Sequence, residues 1–255
     1  MAALTEDRTI PRRNGRSWYI GLAAAVLLYG GAILMVNSAG KGTKGQTAAG
    51  LRPLGIAKER KDNSNGSADD LIAEYETGVY PFKNSSSTDA ITRADIGKPF
   101  YVVDDQTVSR TSNGLARSAG GIVTDVDEDG NVHGRIGPDV HIPPVAIERA
   151  LIQTIAAGTT KRLIAGKAGR IVQMKSIIGG ALATGDATLT LNINGTPVTG
   201  GALTITQVGS AAGDVDTTGV LTAANVVAVG DVITIVKTGT NDAAVEVEVI
   251  LFVEP

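Results

Sequence analysis

"WYIGLAAAVLLYGGAILMV", Trp18 to Val36, contains no charged side chain. It is either one helix crossing a bilayer or a set of strands buried inside protein, and the fold class turns on that choice. About 20 residues at 1.5 Å each span a hydrocarbon core, so the length suits a helix, and Trp18 and Tyr19 could mark an interface. Against the helix, Gly21, Gly30 and Gly31 interrupt the stretch. Both flanks are basic, with Arg12, Arg13 and Arg16 before and Lys41 and Lys44 after, so no orientation is specified. As strands, "AAAVLLY" and "AILMVNS" have the right length, and Gly30-Gly31 between them supplies the positive φ of a tight turn. Continuous apolar runs of this size suit strands covered on both faces. Periodicity alone leaves both readings open.

The surrounding chain favours strands. Glycine reaches 32 of 255 residues while aromatic residues make up 4%, and Val, Ile and Thr crowd the second half, a composition that suits strands joined by tight turns. With 43% hydrophobic and 19% charged residues the chain can bury a core and is not a disordered type. The net charge of −3 gives no general reason to expect a nucleic acid partner. There is no cysteine, which excludes disulfides, thiolate chemistry and Cys-ligated zinc. The apolar stretch starts behind Glu6 and Asp7 and runs on into "VNSAGKGTKG", so it lacks the basic start and cleavage site of a secretory signal.

Residues 1–17 read as an N-terminal arm: "TEDRTIPRRNGR" has four arginines, Pro11 and Asn14-Gly15, and no face to bury. Residues 18–137 alternate short strands and polar loops. In "LIAEYETGVYPF", Ile72, Glu74 and Glu76 alternate with Leu71, Ala73, Tyr75 and Thr77. "SSSTDAITRADIGKP" fits a short helical turn capped by Thr88 or Asp89, and "GGIVTDVDEDGNVHGRIG" a hairpin. Pro138, Pro143 and Pro144 mark 138–160 as a linker, although "VAIERALIQTI" within it could be a first strand or a short helix, and strand is preferred.

From 161 to 255 the period of two is plain. Ala187, Leu189, Leu191 and Ile193 share a face, with Thr188, Thr190 and Asn192 opposite, before an Asn194-Gly195 turn. Val172, Met174 and Ile178 oppose Gln173 and Lys175. Val245, Val247, Val249, Leu251 and Val253 oppose Glu246 and Glu248. One wet and one dry face per strand require the dry faces to meet in a β-sandwich or jelly roll. The short strands of 18–137 point to a small barrel or sandwich. The expected architecture is therefore all-β, with a small β-barrel or β-tulip-like N-terminal domain preferred and a jelly-roll-like C-terminal sandwich.

Motifs that carry chemistry are weak. "GKGTKG", Gly40 to Gly45, matches a dinucleotide fingerprint, but "QTAAGLRP" cannot continue as a helix past Pro53. "DVDEDGN" places Asp125, Asp127, Asp129 and Gly130 like the start of a calcium loop, yet the twelfth position is Ile136 and the flanks read as strands, so a hairpin turn is preferred. His133 and His141 have no partner at ligand spacing, and the serines of "NSSST" sit in a loop. The chain is therefore read as no enzyme. No catalytic residue, cofactor or metal site is assigned.

"AAAVLLYGGAILMVNSAGK", "LRPLGIA" and "ADIGKPFYVVDDQTVSRTSNGLARSAGGIVTDVDEDGNVHGRIG" together resemble the small β capsid decoration (cement) proteins of tailed bacteriophages. "GRIVQMKSIIGGALATGDATLTLNINGTPVTGG" and "SAAGDVDTTGVLTAANVVAVGDVITI" are similar to a β-sandwich segment of phage virion proteins. The resemblance implies a structural virion protein, made in the host cytoplasm, that binds the major capsid protein on the capsid exterior, commonly as a homotrimer. It involves neither nucleic acid nor membrane. It also implies that 18–36 is strand, for which burial in a trimer interface is preferred. The arm is expected to order on the capsid. Two other classes are kept: a head fibre or adhesin using loops such as "GSAAGDVDTTG" on a host surface, and a membrane-anchored envelope protein.

Overall fold

The computed structural model describes residues 17–152, 158, 160–241 and 245–255. Among these every regular element is a β-strand, apart from two 3-10 turns. The apolar stretch divides into β1 (Ser17–Gly21), β2 (Val26–Leu28) and β3 (Ile33–Val36). A turn separates the last two: the Ala32 amide donates to the Tyr29 carbonyl at 3.2 Å, and Gly31 takes φ +84°. The strands then diverge to different partners. With β4 (Gly42–Lys44), β5 (Arg52–Ala57), β6 (Lys61–Asn63) and β7 (Ile72–Glu76), they form a five-stranded sheet ordered β1-β7-β5-β3-β4 and a β2-β6 ribbon.

Next, β8 (Gly78–Asn84), β9 (Pro99–Val102), β10 (Thr107–Ser109), β11 (Ala119–Val126) and β12 (Val132–Ile136) close into a barrel ordered β10-β8-β12-β11-β9. Its interior holds Phe82 and Phe100, whose ring centroids are 5.4 Å apart, with Val102, Val108, Val123 and Val132. Strand β3, flanked by β5 and β4, explains the uninterrupted hydrophobicity. Ile33 and Met35 point into the barrel cluster, while Leu34 and Val36 join Leu22, Leu28, Leu54, Ala57, Ala73 and Tyr75 on the other side. Because both faces are dry, no polar residue is needed at alternate positions. Ile33, Leu34 and Met35 have no solvent exposure, and each such burial contributes about 1.5–3 kcal/mol. The fold of one chain buries Leu22, Val26, Leu28 and residues 32–36 of the stretch, while Trp18 and Ile20 are half-buried and Tyr19 and Tyr29 are exposed.

The remaining strands are β13 (Ala146–Ile152), β14 (Thr160–Ile164), β15 (Gly169–Ile178), β16 (Ala187–Ile193), β17 (Thr196–Ile205), β18 (Val215–Thr217), β19 (Val226–Val227), β20 (Val232–Gly239) and β21 (Val247–Glu254). One sheet runs β13-β21-β15-β18, with β19 also on β15, and the other runs β14-β20-β16-β17. Residues of both sheets share one buried cluster: Met174, Ile178, Leu189, Leu191, Ile233, Ile235, Val247, Val249 and Leu251. The Asn194-Gly195 turn has φ +49° and +84°, the two positive values a tight hairpin needs. Val172 is the extra residue of a bulge between Ile171 and Gln173, so its burial does not come from simple alternation.

Three boundaries move. Ser17, placed in the arm, begins β1, and residues 1–16 lie outside the described residues. Strand β13 lies within the expected linker 138–160 and pairs with β21 from Ala146↔Val253 to Ile152↔Val247, so an edge strand replaces that part of the linker. The short helical segment is two 3-10 turns, Ser87–Asp89 and Arg93–Asp95. Only the second has side-chain capping, through Thr92 and Asp95 and not Thr88 or Asp89.

Candidate functional site

The "GKGTKG" segment serves packing. Gly45 sits where a Cβ would lie 2.8 Å from the Asp104 carbonyl and 3.0 Å from Ile33 and Val102, so this glycine lets the sheet approach the barrel. The "DVDEDGN" segment is the β11–β12 hairpin. Asp127 accepts from the Asn131 amide at 2.7 Å and lies 3.3 Å from His133 Nε2. Hydrogen bonds from the Asn131 side chain and backbone, then from His133, hold the Asp127 carboxyl below its usual range. His141 is exposed on the segment before β13. Among the described residues no three His, Asp or Glu side chains are grouped to hold a metal ion.

The chemically distinctive place is one that no motif pointed to: the junction of the barrel with the β13-β21-β15-β18 sheet. Glu254, at the end of β21, is 2% exposed and accepts from the Ser112 amide at 3.3 Å and 3.5 Å through its two oxygens. Arg170 is its cross-strand partner on β15. Nearby, Gln173 Nε2 donates to the Gly114 carbonyl at 3.2 Å. Burial raises the Glu254 pKa despite the Ser112 hydrogen bonds and the Arg170 charge. Burial, followed by the Glu254 charge, pushes the Tyr101 phenol well above its ordinary value. Burial, then the Arg110 charge, lowers the pKa of Arg170.

Asp95 is 4% exposed at the same junction. Burial pushes its carboxyl up. The Thr92 amide and hydroxyl, both at 2.9 Å, together with Lys98 and Arg110, outweigh burial and hold it below the usual range. One step away Arg117 pairs with Asp89 at 2.5 Å and donates to Ser109 Oγ at 2.9 Å. A cleft of about 260 Å³ lies between the barrel and the β13-β21-β15-β18 sheet, lined by Asp95, Lys98, Arg110, Arg170 and Glu254 among others. The one sequence signal was a lone carboxylate, Glu254, in the apolar run "VILFVEP". Alternation puts it on the wet face, and nothing local says that the barrel covers that face.

A second feature is the overhang of the five-stranded sheet. Strand β1 is an edge, and Tyr19 and Ile72, 61% and 58% exposed, lie diagonally on the same face, opposite Glu74 and Gly21 respectively. Lys58 Nζ is 3.1 Å from both Glu74 and Glu76, and Ser17 Oγ donates to Glu74 at 2.8 Å, which pins β1 to β7. The "GSAAGDVDTTG" loop borders a shallow cleft where Asp216, raised by burial and then by Asp214, lies beside exposed Val208.

No family model matches the chain, and no curated protein matches it. Among solved structures, it is similar to a glycoside hydrolase family 43 arabinoxylan arabinofuranohydrolase from Bacillus subtilis in complex with cellotetraose. That likeness has 12% identity and a TM-score of 0.32, over 89% of this chain and 69% of the other. A structure of infectious bursal disease virus Gx strain gives 11% identity and a TM-score of 0.22, over 94% and 71%. At these scores neither likeness carries an argument about fold or activity. No helix among the described residues is long and apolar enough to cross a membrane.

Proposed function

We propose that this chain is a structural virion protein, not an enzyme, that attaches to the exterior of a phage capsid and reinforces its lattice. On this reading the chain has an N-terminal barrel-bearing unit, which docks on the major capsid protein, and a C-terminal sandwich of jelly-roll type, which faces outward or meets neighbouring copies in a trimer. The observation that carries the reading is the fate of Trp18–Val36. Instead of one lipid-facing helix, it is three short strands, of which β3 is covered by protein on both faces, and the resemblance to decoration proteins implies strand here. The β1 edge, unpaired among the described residues, and the exposed Tyr19–Ile72 pair add a surface suited to a protein partner.

The test is binding of the purified chain to purified capsids that lack it, then electron microscopy of the product. Regular density on the outer surface at local three-fold positions is the expected result. Capsids that sediment free of the chain would end the proposal. Removal of residues 1–16 is expected to weaken attachment, and unchanged attachment would take the arm out of the scheme.

A further inference from the structure

The junction cleft holds more cationic donors than its own acceptors engage. Arg110 comes just after β10 on the barrel and Arg170 begins β15 on the sandwich, so the two guanidinium groups come from different units. One Arg110 nitrogen donates to the Thr88 carbonyl at 2.5 Å, but its Nε is buried with no hydrogen-bond partner. The Arg170 side chain lines the cleft with no side-chain hydrogen bond or ion pair among the described residues, the nearby Glu254 charge acting on it only at longer range. Lys98 Nζ, also lining the cleft, has a single carboxylate contact, Asp95 at 3.4 Å. The two lining side-chain carboxylates have partners of their own: Asp95 accepts from Thr92 and pairs with Lys98 of the same cleft, and Glu254 accepts from the Ser112 amide while lying near the Arg170 charge.

We propose that this cleft binds a small oxyanion of the phosphate or sulfate class between Arg110 and Arg170, with Lys98 beside it, and that the anion ties the barrel to the sandwich. Two like charges lining one partly dry cleft, near enough for Arg110 to act on Arg170, repel, and an anion between them turns that repulsion into attraction on both sides. Guanidinium groups present fixed forks of donors that match tetrahedral oxyanions. The volume of about 260 Å³ lies below the usual range for drug-sized ligands and suits a hydrated ion. An anion held by both units stabilises their docked arrangement by mass action. Anion binding here is independent of any role on a capsid.

The experiment is calorimetric titration and thermal unfolding of the full chain with sodium phosphate, against sodium chloride at equal ionic strength and pH. Phosphate is expected to bind and to raise the melting temperature beyond chloride. Arg170→Gln is expected to weaken binding at least about tenfold, the loss of one charge-assisted contact. Glu254→Gln, which removes a neighbouring negative charge yet keeps an acceptor for the Ser112 amide, is expected to bind more tightly. Phosphate also stabilises proteins by exclusion from their surface, so the variant comparison decides. Equal effects of phosphate on wild type and Arg170→Gln, or no difference between phosphate and chloride, would overturn the proposal. If Arg170→Gln does not fold, Arg110→Gln carries the same comparison.

Discussion

The Glu254 carboxylate accepts from the Ser112 amide, a contact that ties the end of β21 to the loop after β10 across 142 positions of sequence. It sets the pH response of the junction. Burial raises the Glu254 pKa above its ordinary 4.5, so the folded state favours the protonated form. The resulting stabilisation is fully present below pH 4.5 and is lost as pH rises through the raised value. Asp95 has the opposite sign: its lowered pKa contributes stability above the ordinary carboxylate value, lost as pH falls through the lowered one. Unfolding measured between about pH 4 and 8 is therefore expected to show wild type losing stability relative to Glu254→Gln as pH rises. Glu254→Ala, which strands the Ser112 amide, is expected to cost about 1–3 kcal/mol.

Burial of β3 on both faces predicts equal sensitivity at adjacent positions. Leu34 and Met35 point into different clusters, and Leu34→Ala and Met35→Ala are each expected to cost about 2–5 kcal/mol in urea unfolding. A strand with one wet face would give one large loss and one near zero.

The barrel closes tightly around Phe100. A Cβ at Gly121 would lie 2.0 Å from the Arg135 carbonyl of the neighbouring strand, and one at Gly134 would lie 2.5 Å from the Phe100 ring. Backbone atoms on β12 cannot yield as a flexible side chain can. Gly121→Ala is expected to destabilise by about 3 kcal/mol, the upper end of ordinary overpacking, with a matching drop in melting temperature.

Tyr19 and Ile72 touch solvent, so Tyr19→Ala and Ile72→Ser are expected to leave unfolding within about 0.5 kcal/mol of wild type. If the β1 overhang docks on the capsid, the same pair is expected to weaken attachment in a co-sedimentation assay. Wild-type attachment would move the docking surface elsewhere.

Strands whose two faces differ were legible in the chain alone. Leu189 against Thr190, Val247 against Glu248 and the Asn194-Gly195 turn announce themselves because alternation and positive φ are local properties. The apolar character of Ile33–Val36 was equally plain, but not what covers it. A run covered on both faces carries no period, and only the placement of β3 between the barrel and the second cluster distinguishes sheet from lipid-facing helix. The same holds for "VAIERALIQTI", whose β13 part becomes strand by pairing with β21, about a hundred residues away. The junction was invisible for a related reason. Glu254, Arg170, Arg110 and Asp95 obey the rule for solvent-facing residues within their own segments. They became a half-buried charged cleft only when one unit was laid against the wet face of the other, because burial is decided by what packs against a face and not by the strand that carries it.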